Sequence, residues 1–394
     1  MTAALPPALV LTAGLGTRLW PITTRVAKPA VPLAGPTLIE RILRQLARQG
    51  VRDAVLNLHH NPATIADVVG DGTQFGLRVR YSLEPEILGS AGGPRHALPL
   101  LDEETFLIVN GDTLTDMPLA PLVERHHLTG ASVTMAVGPL PAAHYNGVIL
   151  DGGDVVTGFS PAGQTAGAWH FVGLQVAHRD AFAWIADGVA VDSVGATYRE
   201  MVRERRGSIR AMRTHARFID VGRPADYLQA ALALEGAPGS GPLCDPAAEI
   251  APDAELTQCV VWPGAVVGRG CRLHRCIVTD VRVPAGLRVE AASLVPAAGL
   301  SPEVLNTFAG RYLKLIQTQG EDFTLSIANS VWLREGFEAD PEFLQKNADY
   351  FGAAVRSLNF DDPKAPDTIN DWVSDATRET IDQIVDKIEP AVVM

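Results

Sequence analysis

Apolar and polar positions alternate along the first two hundred residues with two periods. The run "ALVLTAG" (8–14) is short, almost wholly apolar and closed by glycine, as a parallel strand buried on both faces would be. "TLIERILRQLARQG" (37–50) spaces its apolar residues three and four apart and stops at Gly50, the mark of an amphipathic helix. The pair then recurs: "DAVLNL" reads as a strand, "NPATIADVVGDG" as a helix, "LRVRYSLE" as a strand, and "TFLIVNGD" as an apolar strand ending in a turn at Asp112. Such alternation predicts an α/β fold, a doubly wound, Rossmann-like, mostly parallel sheet with helices on both faces. Ligands of such sheets sit beyond the carboxyl ends of the strands, where Gly14, Glu84 and Asp112 fall. Further strands are expected at "SVTMAVG", "NGVILD" and "HFVGLQVA", then a helix around "ATYREMVRER" and the segment "FIDVGRPADYLQAALAL".

After Gly236 the pattern changes. "GAPGSGP" is a linker by composition, and beyond it Ile250, Leu256 and Trp262 follow at steps of six. Steps of six predict two or three coils of a left-handed hexapeptide β-helix, too few to bury a core alone and so expected to pack on the neighbouring domain. An irregular loop with chance periodicity is the alternative. Residues 302–318 predict an amphipathic helix with Val304, Leu305, Phe308, Tyr312, Leu315 and Ile316 on one face. "FTLSIANSVW" predicts a half-buried strand, and "DTINDWVSDATRETIDQIVDKI" a helix over 367–388. The expected division is a first domain over 1–235, a linker and coil segment over 236–297, and a separate tail over 298–394.

Composition narrows the function classes. With 47% hydrophobic residues in 394, the chain can bury a sizeable core. No stretch approaches the ~20 uncharged apolar residues of a membrane span, and the first dozen residues lack a secretory pattern, so a cytoplasmic location is expected. The net charge of −12 argues against a nucleic-acid partner, which would require a basic footprint. Cys244, Cys259, Cys271 and Cys276 fit neither zinc spacing nor a disulfide framework and read as small, partly buried fillers. The adjacent pairs His59 and His60, and His126 and His127, read as surface or loop histidines, because neighbours on one element point apart. Charge and usage also divide the chain. Residues 301–394 hold 17 acidic and 8 basic side chains, four lysines and five of the nine asparagines, whereas residues 1–300 hold 24 arginines and a single lysine, Lys28.

That lysine follows a glycine loop, Gly14-Leu15-Gly16-Thr17-Arg18. The dinucleotide fingerprint needs glycine where Leu19 stands, and a Walker loop needs Gly-Lys-Ser/Thr, so neither motif is present. What remains is a strand running into a turn whose backbone N–H groups can approach a phosphate, with Arg18 adding a planar donor fork.

"GxGTR" followed by Lys28-Pro29 and Pro32, with "EPEILGSAGG", "VNGD", "YNGVILD", "HFVGLQV" and "FIDVGRPADYL" in order, resembles the sugar-1-phosphate nucleotidyltransferases from about residue 7 to 232, near mannose-1-phosphate guanylyltransferase-like proteins. The resemblance implies in-line attack of a sugar 1-phosphate oxygen on the α-phosphorus of a nucleoside triphosphate, with release of pyrophosphate. Positioning and charge neutralisation carry most of the catalysis in such a reaction. It implies that Gly14, Gly16 and Thr17 cradle the triphosphate, Arg18 stabilises the departing pyrophosphate and Lys28 reaches the α-phosphate. Asp112 and Asp220 would hold Mg²⁺. Glu84, Gly89, Leu11 and Ala13 would line the base pocket, and Gly147 would lie against the sugar. The implied partners are the two substrates, with no nucleic acid or membrane; homo-oligomerisation is left open. Where many relatives carry a Glu-Lys pair near the sugar, this chain reads "GFSPAGQTAG", which leaves the sugar open; uridylyl or thymidylyl transfer to glucose 1-phosphate or an amino sugar phosphate is the alternative, and a catalytically silent sugar-nucleotide sensor the alternative of another class.

From about residue 305 to 394 the chain resembles part of a serpin. Serpin inhibition needs a reactive loop that inserts into a completed sheet, which this stretch does not contain, so no protease inhibition is expected of it. A strand and helices without their sheet are expected to be poorly packed.

Overall fold

The computed structural model describes residues 5–142, 144–235, 241–295 and 328–388. The chain divides into two compact units, residues 1–296 and 297–394. The predicted helix over 302–318 and the first half of "FTLSIANSVW" lie outside the described residues, as does most of "GAPGSGP".

In the first unit the apolar runs pair as expected. Strands β1 (Ala8–Leu11), β2 (Asp53–Leu58), β3 (Arg78–Leu83) and β4 (Thr105–Asn110) lie parallel in the order β4-β1-β2-β3. Beyond β4 the sheet continues through β9 (Ala168–His178), antiparallel to both neighbours, to β6 (Val133–Pro139) and β10 (Ile209–Arg213). The hairpin of β7 (Gly147–Leu150) and β8 (Val156–Ser160) adds to β9. Two apolar clusters, one on each face, cover the sheet. On one face pack α1 (Leu38–Gln49) and α2 (Pro62–Val69); α1 begins at a reciprocal Thr37–Glu40 cap and ends at left-handed Gly50. Its Leu38, Ile39, Ile42, Leu43 and Leu46 are buried, the spacing read from the sequence.

Helix α3 (Gly89–Ala97) is poor in helix formers, with Gly92, Gly93 and Pro94 inside it, and periodicity does not reveal it. Burial holds it, because Ala91, Ala97 and Leu98 join the second cluster. Helices α4 (Leu119–Thr129), α5 (Asp180–Ala183), α6 (Tyr198–Glu204) and α7 (Pro224–Glu235) complete the layers. A two-stranded antiparallel ladder, β5 (Thr113–Thr115) with β11 (Phe218–Asp220), stands apart from the main sheet directly after β4.

Residues 243–294 form a three-sided parallel coil, with four strands stacked on one side and three on each of the others. One side runs Leu243, Val260, Ile277, Ser293 in register. Ile250 and Leu256 occupy the other two sides, so the steps of six mark successive faces of a coil rather than an irregular loop. Cys259, Cys271 and Cys276 are fully buried in its core and Cys244 is exposed; all four are free thiols. Val260, Trp262 and Ile277 leave that core to join the first apolar cluster of the α/β layers.

In the second unit, strands Ser330–Arg334 and Ala354–Leu358 pair in parallel around helix Pro341–Phe351, and helix Ala365–Ala376 follows. The helix expected over 367–388 therefore stops twelve residues early. Arg378 and Glu379 turn left-handed, and the Asn370 side chain accepts from the N–H groups of Ile384 and Val385, which folds the rest back along the helix. Leu333, Phe360, Ile369 and Val373 are buried here.

Candidate active site

The carboxyl ends of β1, β2 and β4 open into a cleft of about 410 Å³. Leu11, Ala13, Gly14, Gly16, Thr17, Arg18, Lys28, Glu84, Gly89 and Asp112 all line it, so the structure brings ten of the twelve predicted site residues to one wall or another. Asp220 sits beside it on β11, and Gly147, which is not among the residues lining it, stands on β7, where a Cβ would collide with Ser160 and Ala168.

The glycine loop after β1 is pinned rather than slack. Gly16 is left-handed (φ 65°), and a Cβ there would press on Thr23 Oγ1 at 3.2 Å and on the Lys28 stem at 3.3 Å. Thr23 Oγ1 donates to Gly16 O at 2.8 Å and closes the turn. Next to it, the single-turn helix Lys28–Ala30 holds Lys28 with 7% of its surface exposed, and its Nζ donates to Asp112 Oδ2 at 2.7 Å. The lysine thus reaches across from the loop to the end of β4.

Asp112 and Asp220 are neighbours through the ladder. Asp220 pairs with Thr113, and Val221 N donates to Asp112 O at 3.1 Å. Burial pushes the Asp220 carboxyl above its usual 3.8, the Asp112 charge adds to the rise, and Lys28 and Arg18 oppose it. The Tyr145 hydroxyl donates to Asp220 Oδ2 at 3.3 Å, and burial with the adjacent Asp220 pushes that phenol up to about 12. Gly222 leaves room for Asp220 Oδ2 and Arg18 Nη1 on either side of it, at 2.9 and 3.3 Å from where a Cβ would stand. The exposed Arg18 guanidinium makes no hydrogen bond or ion pair of its own among the described residues, and its charge acts on the neighbouring Asp220.

Among the described residues no group of three or more His, Cys, Asp or Glu side chains is placed to hold a metal ion. Two adjacent carboxylates with one raised pKa are nevertheless the donor set of a hard cation that draws its remaining ligands from phosphates and water. The residues fit Mg²⁺ in that way.

Several residues of the site carry no motif. Asn57 Oδ1 accepts from Thr12 N at 2.6 Å, Asn57 Nδ2 donates to Glu84 Oε1 at 2.7 Å, and Glu84 Oε2 accepts from Leu88 N at 2.9 Å. This buried relay ties together the ends of β1 and β2 and the segment after β3, and both Glu84 oxygens serve it. One signal was available: Asn57 is the lone polar residue inside a buried apolar strand. Gly89 (φ 74°) is required by the chain itself, since a Cβ would stand 2.7 Å from Val191 O. The histidine pairs are not uniformly superficial. His126 is buried, bonds Thr134 Oγ1 at 3.0 Å, and burial lowers its pKa to about 4. His59 and His60 bond the Glu84 and Thr23 carbonyls.

The nucleotidyl transferase family model matches residues 7–236, more than half of the chain and all of the cleft. The chain belongs to the nucleotidyl transferase family. A mannose-1-phosphate guanylyltransferase of Mycobacterium tuberculosis is 29% identical over 297 residues, covering 72% of this nucleotidyltransferase and 82% of that protein. A D-glycero-α-D-manno-heptose 1-phosphate guanylyltransferase of Aneurinibacillus thermoaerophilus is 26% identical over 230 residues, 58% of this chain and 98% of that one. An N-acetylmuramate α-1-phosphate uridylyltransferase of Neisseria meningitidis is 42% identical over 111 residues, 28% of this chain and 48% of its own. Among solved structures, HddC from Yersinia pseudotuberculosis shares the fold with a TM-score of 0.53 at 22% identity, covering 59% of this nucleotidyltransferase and all of that chain. The serpin (serine protease inhibitor) family model matches residues 279–394. No helix among the described residues is long and apolar enough to cross a membrane.

Proposed function

We propose that this nucleotidyltransferase joins a nucleoside triphosphate to a sugar 1-phosphate with Mg²⁺, releasing pyrophosphate, and that GTP and mannose 1-phosphate are its substrates. The observation that carries the reading is the Lys28–Asp112 pair at 2.7 Å in the same cleft as Arg18 and the glycine loop. A site for two polyanions needs fixed cationic donors together with carboxylates that could hold a cation, and Lys28, Arg18, Asp112 and the neighbouring Asp220 support that reading. Mg²⁺, held by Asp112 and Asp220, would neutralise phosphate charge. Lys28 would exchange its carboxylate partner for an oxygen of the α-phosphate when nucleotide enters, a task suited to a compact ammonium on a flexible stem. Arg18, exposed beside the glycine loop, would take the charge that develops on the leaving pyrophosphate. The Glu84–Asn57–Thr12 relay would keep the base pocket rigid, so that little ordering is needed on binding.

The choice of GTP and mannose 1-phosphate draws on the length of the match to the M. tuberculosis guanylyltransferase. The higher identity over a shorter stretch, 42% over 111 residues, to the Neisseria uridylyltransferase favours UTP as the second reading. Pyrophosphate release, measured with Mg²⁺ over a grid of GTP, UTP, dTTP and ATP against mannose, glucose and amino sugar 1-phosphates, separates them. The expected result is turnover for GTP with mannose 1-phosphate, reduced at least about 100-fold by Lys28→Ala and by Asp112→Asn, and not restored by Lys28→Arg. No turnover with any pair would leave a sugar-nucleotide sensor; turnover untouched by Lys28→Ala would remove the mechanism.

A further inference from the structure

Asn57 is 3% exposed in β2, a strand whose other residues from Ala54 to Leu58 are buried and apolar. Asparagine is disfavoured in strands, and a buried amide has to be bonded at both ends. Here the bonds leave the strand in two directions. Oδ1 accepts from Thr12 N at 2.6 Å, at the start of the loop after β1, and Thr12 Oγ1 donates to Asn57 O, so this link is double. Nδ2 donates to Glu84 Oε1 at 2.7 Å, and Glu84, itself 1% exposed, carries the connection on by accepting from Leu88 N at 2.9 Å, directly before α3.

Both ends of this relay border one space. Leu11, Thr12, Ala13 and Gly14 line the cleft from β1, and Ile87, Gly89 and Ser90 line it from the start of α3. Among the described residues no hydrogen bond joins these two stretches directly, so the relay is what ties them. A third element makes room for it. A Cβ at Gly93 would stand 2.7 Å from Glu84 Oε1 and 2.8 Å from Asn57 Nδ2. Gly93 has no positive φ, so the relay, and not the backbone, is what its missing side chain serves.

We propose that Asn57 is a positioning residue for base choice: through Glu84 it fixes the distance between the β1 wall and the Leu88–Gly89 wall, and so the width of the slot that the nucleobase enters. The inference rests on the reading of this cleft as a nucleotide site. A chain of short hydrogen bonds has one length, so the slot cannot adjust to a purine and a pyrimidine alike, and a base of the wrong size leaves polar groups of the walls unpaired. Arg18, Lys28 and Asp112 lie outside the relay, which separates base choice from the contacts proposed for phosphate.

Equilibrium dialysis of the full chain with Mg²⁺ and either GTP or UTP, without sugar phosphate and at pH 8, tests this in the wild type, Asn57→Leu and Asn57→Asp/Glu84→Gln. Asn57→Leu keeps the side chain's size and cuts both links. The double variant exchanges donor and acceptor at the middle link, with Thr12 N and Leu88 N still bonded and the net charge unchanged. The wild type is expected to bind GTP at least about tenfold more tightly than UTP, Asn57→Leu less than about threefold, and the double variant at least about tenfold again. A preference that survives in Asn57→Leu while both nucleotides weaken together would make the relay structural only and overturn the proposal. So would a double variant no nearer the wild type than Asn57→Leu, or equal binding of GTP and UTP by the wild type. A wild type that binds neither nucleotide would instead overturn the reading of the cleft, and this inference with it. If Asn57→Leu fails to fold, Gly93→Ala gives the same comparison, since its methyl presses on the middle link while favouring the helix; an unchanged preference there overturns the proposal.

Discussion

Asp220 is the residue whose chemistry and stability pull in opposite directions. Its carboxyl is raised above the ordinary 3.8 by burial and then by Asp112, so the folded state holds its proton more tightly than the unfolded state does. The stability this group contributes is therefore fully present below about pH 3.8 and is lost as pH rises through the folded value. At neutral pH the ionised side chain is a cost that the fold carries for the sake of the site. Asp220→Asn removes the charge and keeps an oxygen for the Tyr145 hydroxyl. It is expected to raise the melting temperature at pH 7, to lose that advantage as pH falls toward 3.8, and to lower activity at least about 100-fold. Melting curves at pH 7 and pH 4 beside pyrophosphate-release rates check all three. A lower melting temperature at pH 7 would show that the carboxylate is a net structural asset.

At the scale of elements, α7 connects the catalytic layers to the coil. Tyr227 is fully buried; its hydroxyl donates to Pro32 O at 2.6 Å and accepts from Trp262 Nε1 at 2.8 Å. Tyr227→Phe keeps the ring and removes the partner of Trp262 Nε1 and of Pro32 O, two groups whose residues line a cavity of about 290 Å³ with room for water. An unsatisfied buried group costs about 1–3 kcal/mol and water can relieve part of it, so a loss of about 1–3 kcal/mol is expected in urea unfolding, with a change of under about 0.5 kcal/mol refuting the account. The loop that Pro32 closes begins four residues earlier at Lys28, so weaker substrate binding should accompany the loss. This junction was out of reach of sequence reasoning, since nothing local says that Trp262 turns away from its own coil to meet α7. What periodicity did convey was the elements whose burial is one-sided or complete along a continuous run, among them β1, α1, β2, α2, β3, β4, β6 and β9. Where burial depends on a distant partner the pattern was silent, as in α3 with its glycines and Pro94, or misleading, as in the tail helix that ends at Ala376 because Asn370 captures the following backbone. The same rule covers the site. Gly16, Arg18, Lys28 and Asp112 were legible through the resemblance, whose ordered motifs the structure gathers around one cleft. Asn57 and Tyr145 act through Thr12, Glu84 and Asp220 and carry no role in it.

For the whole molecule, the question is how much chain the cleft requires. Every residue lining it falls between Leu11 and Gly222, and the HddC chain, which matches 59% of this protein over its full length, completes the same fold without the remainder. Residues 297–394 form a unit of their own, whereas the coil shares the apolar cluster under the sheet through Val260, Trp262 and Ile277. Two boundaries are thus on offer: the serpin model begins at 279, and the compact unit ends at 296. They make different physical demands. A chain ending at 278 would lose Arg282–Val283, Arg288–Glu290 and Ser293–Leu294, the last strand on each side of the coil. That would leave the strand groups of Val266, Arg272 and Ile277 unpaired and open a sheet edge beside the buried Leu273 and Val278. Residues 1–296 alone are expected to keep kcat/KM and the urea midpoint of the first unit, while residues 1–278 should show a lower midpoint and concentration-dependent association by light scattering. Equal midpoints for the two would mean that the last coil adds nothing, and a fall in kcat/KM for 1–296 would tie the tail to catalysis after all.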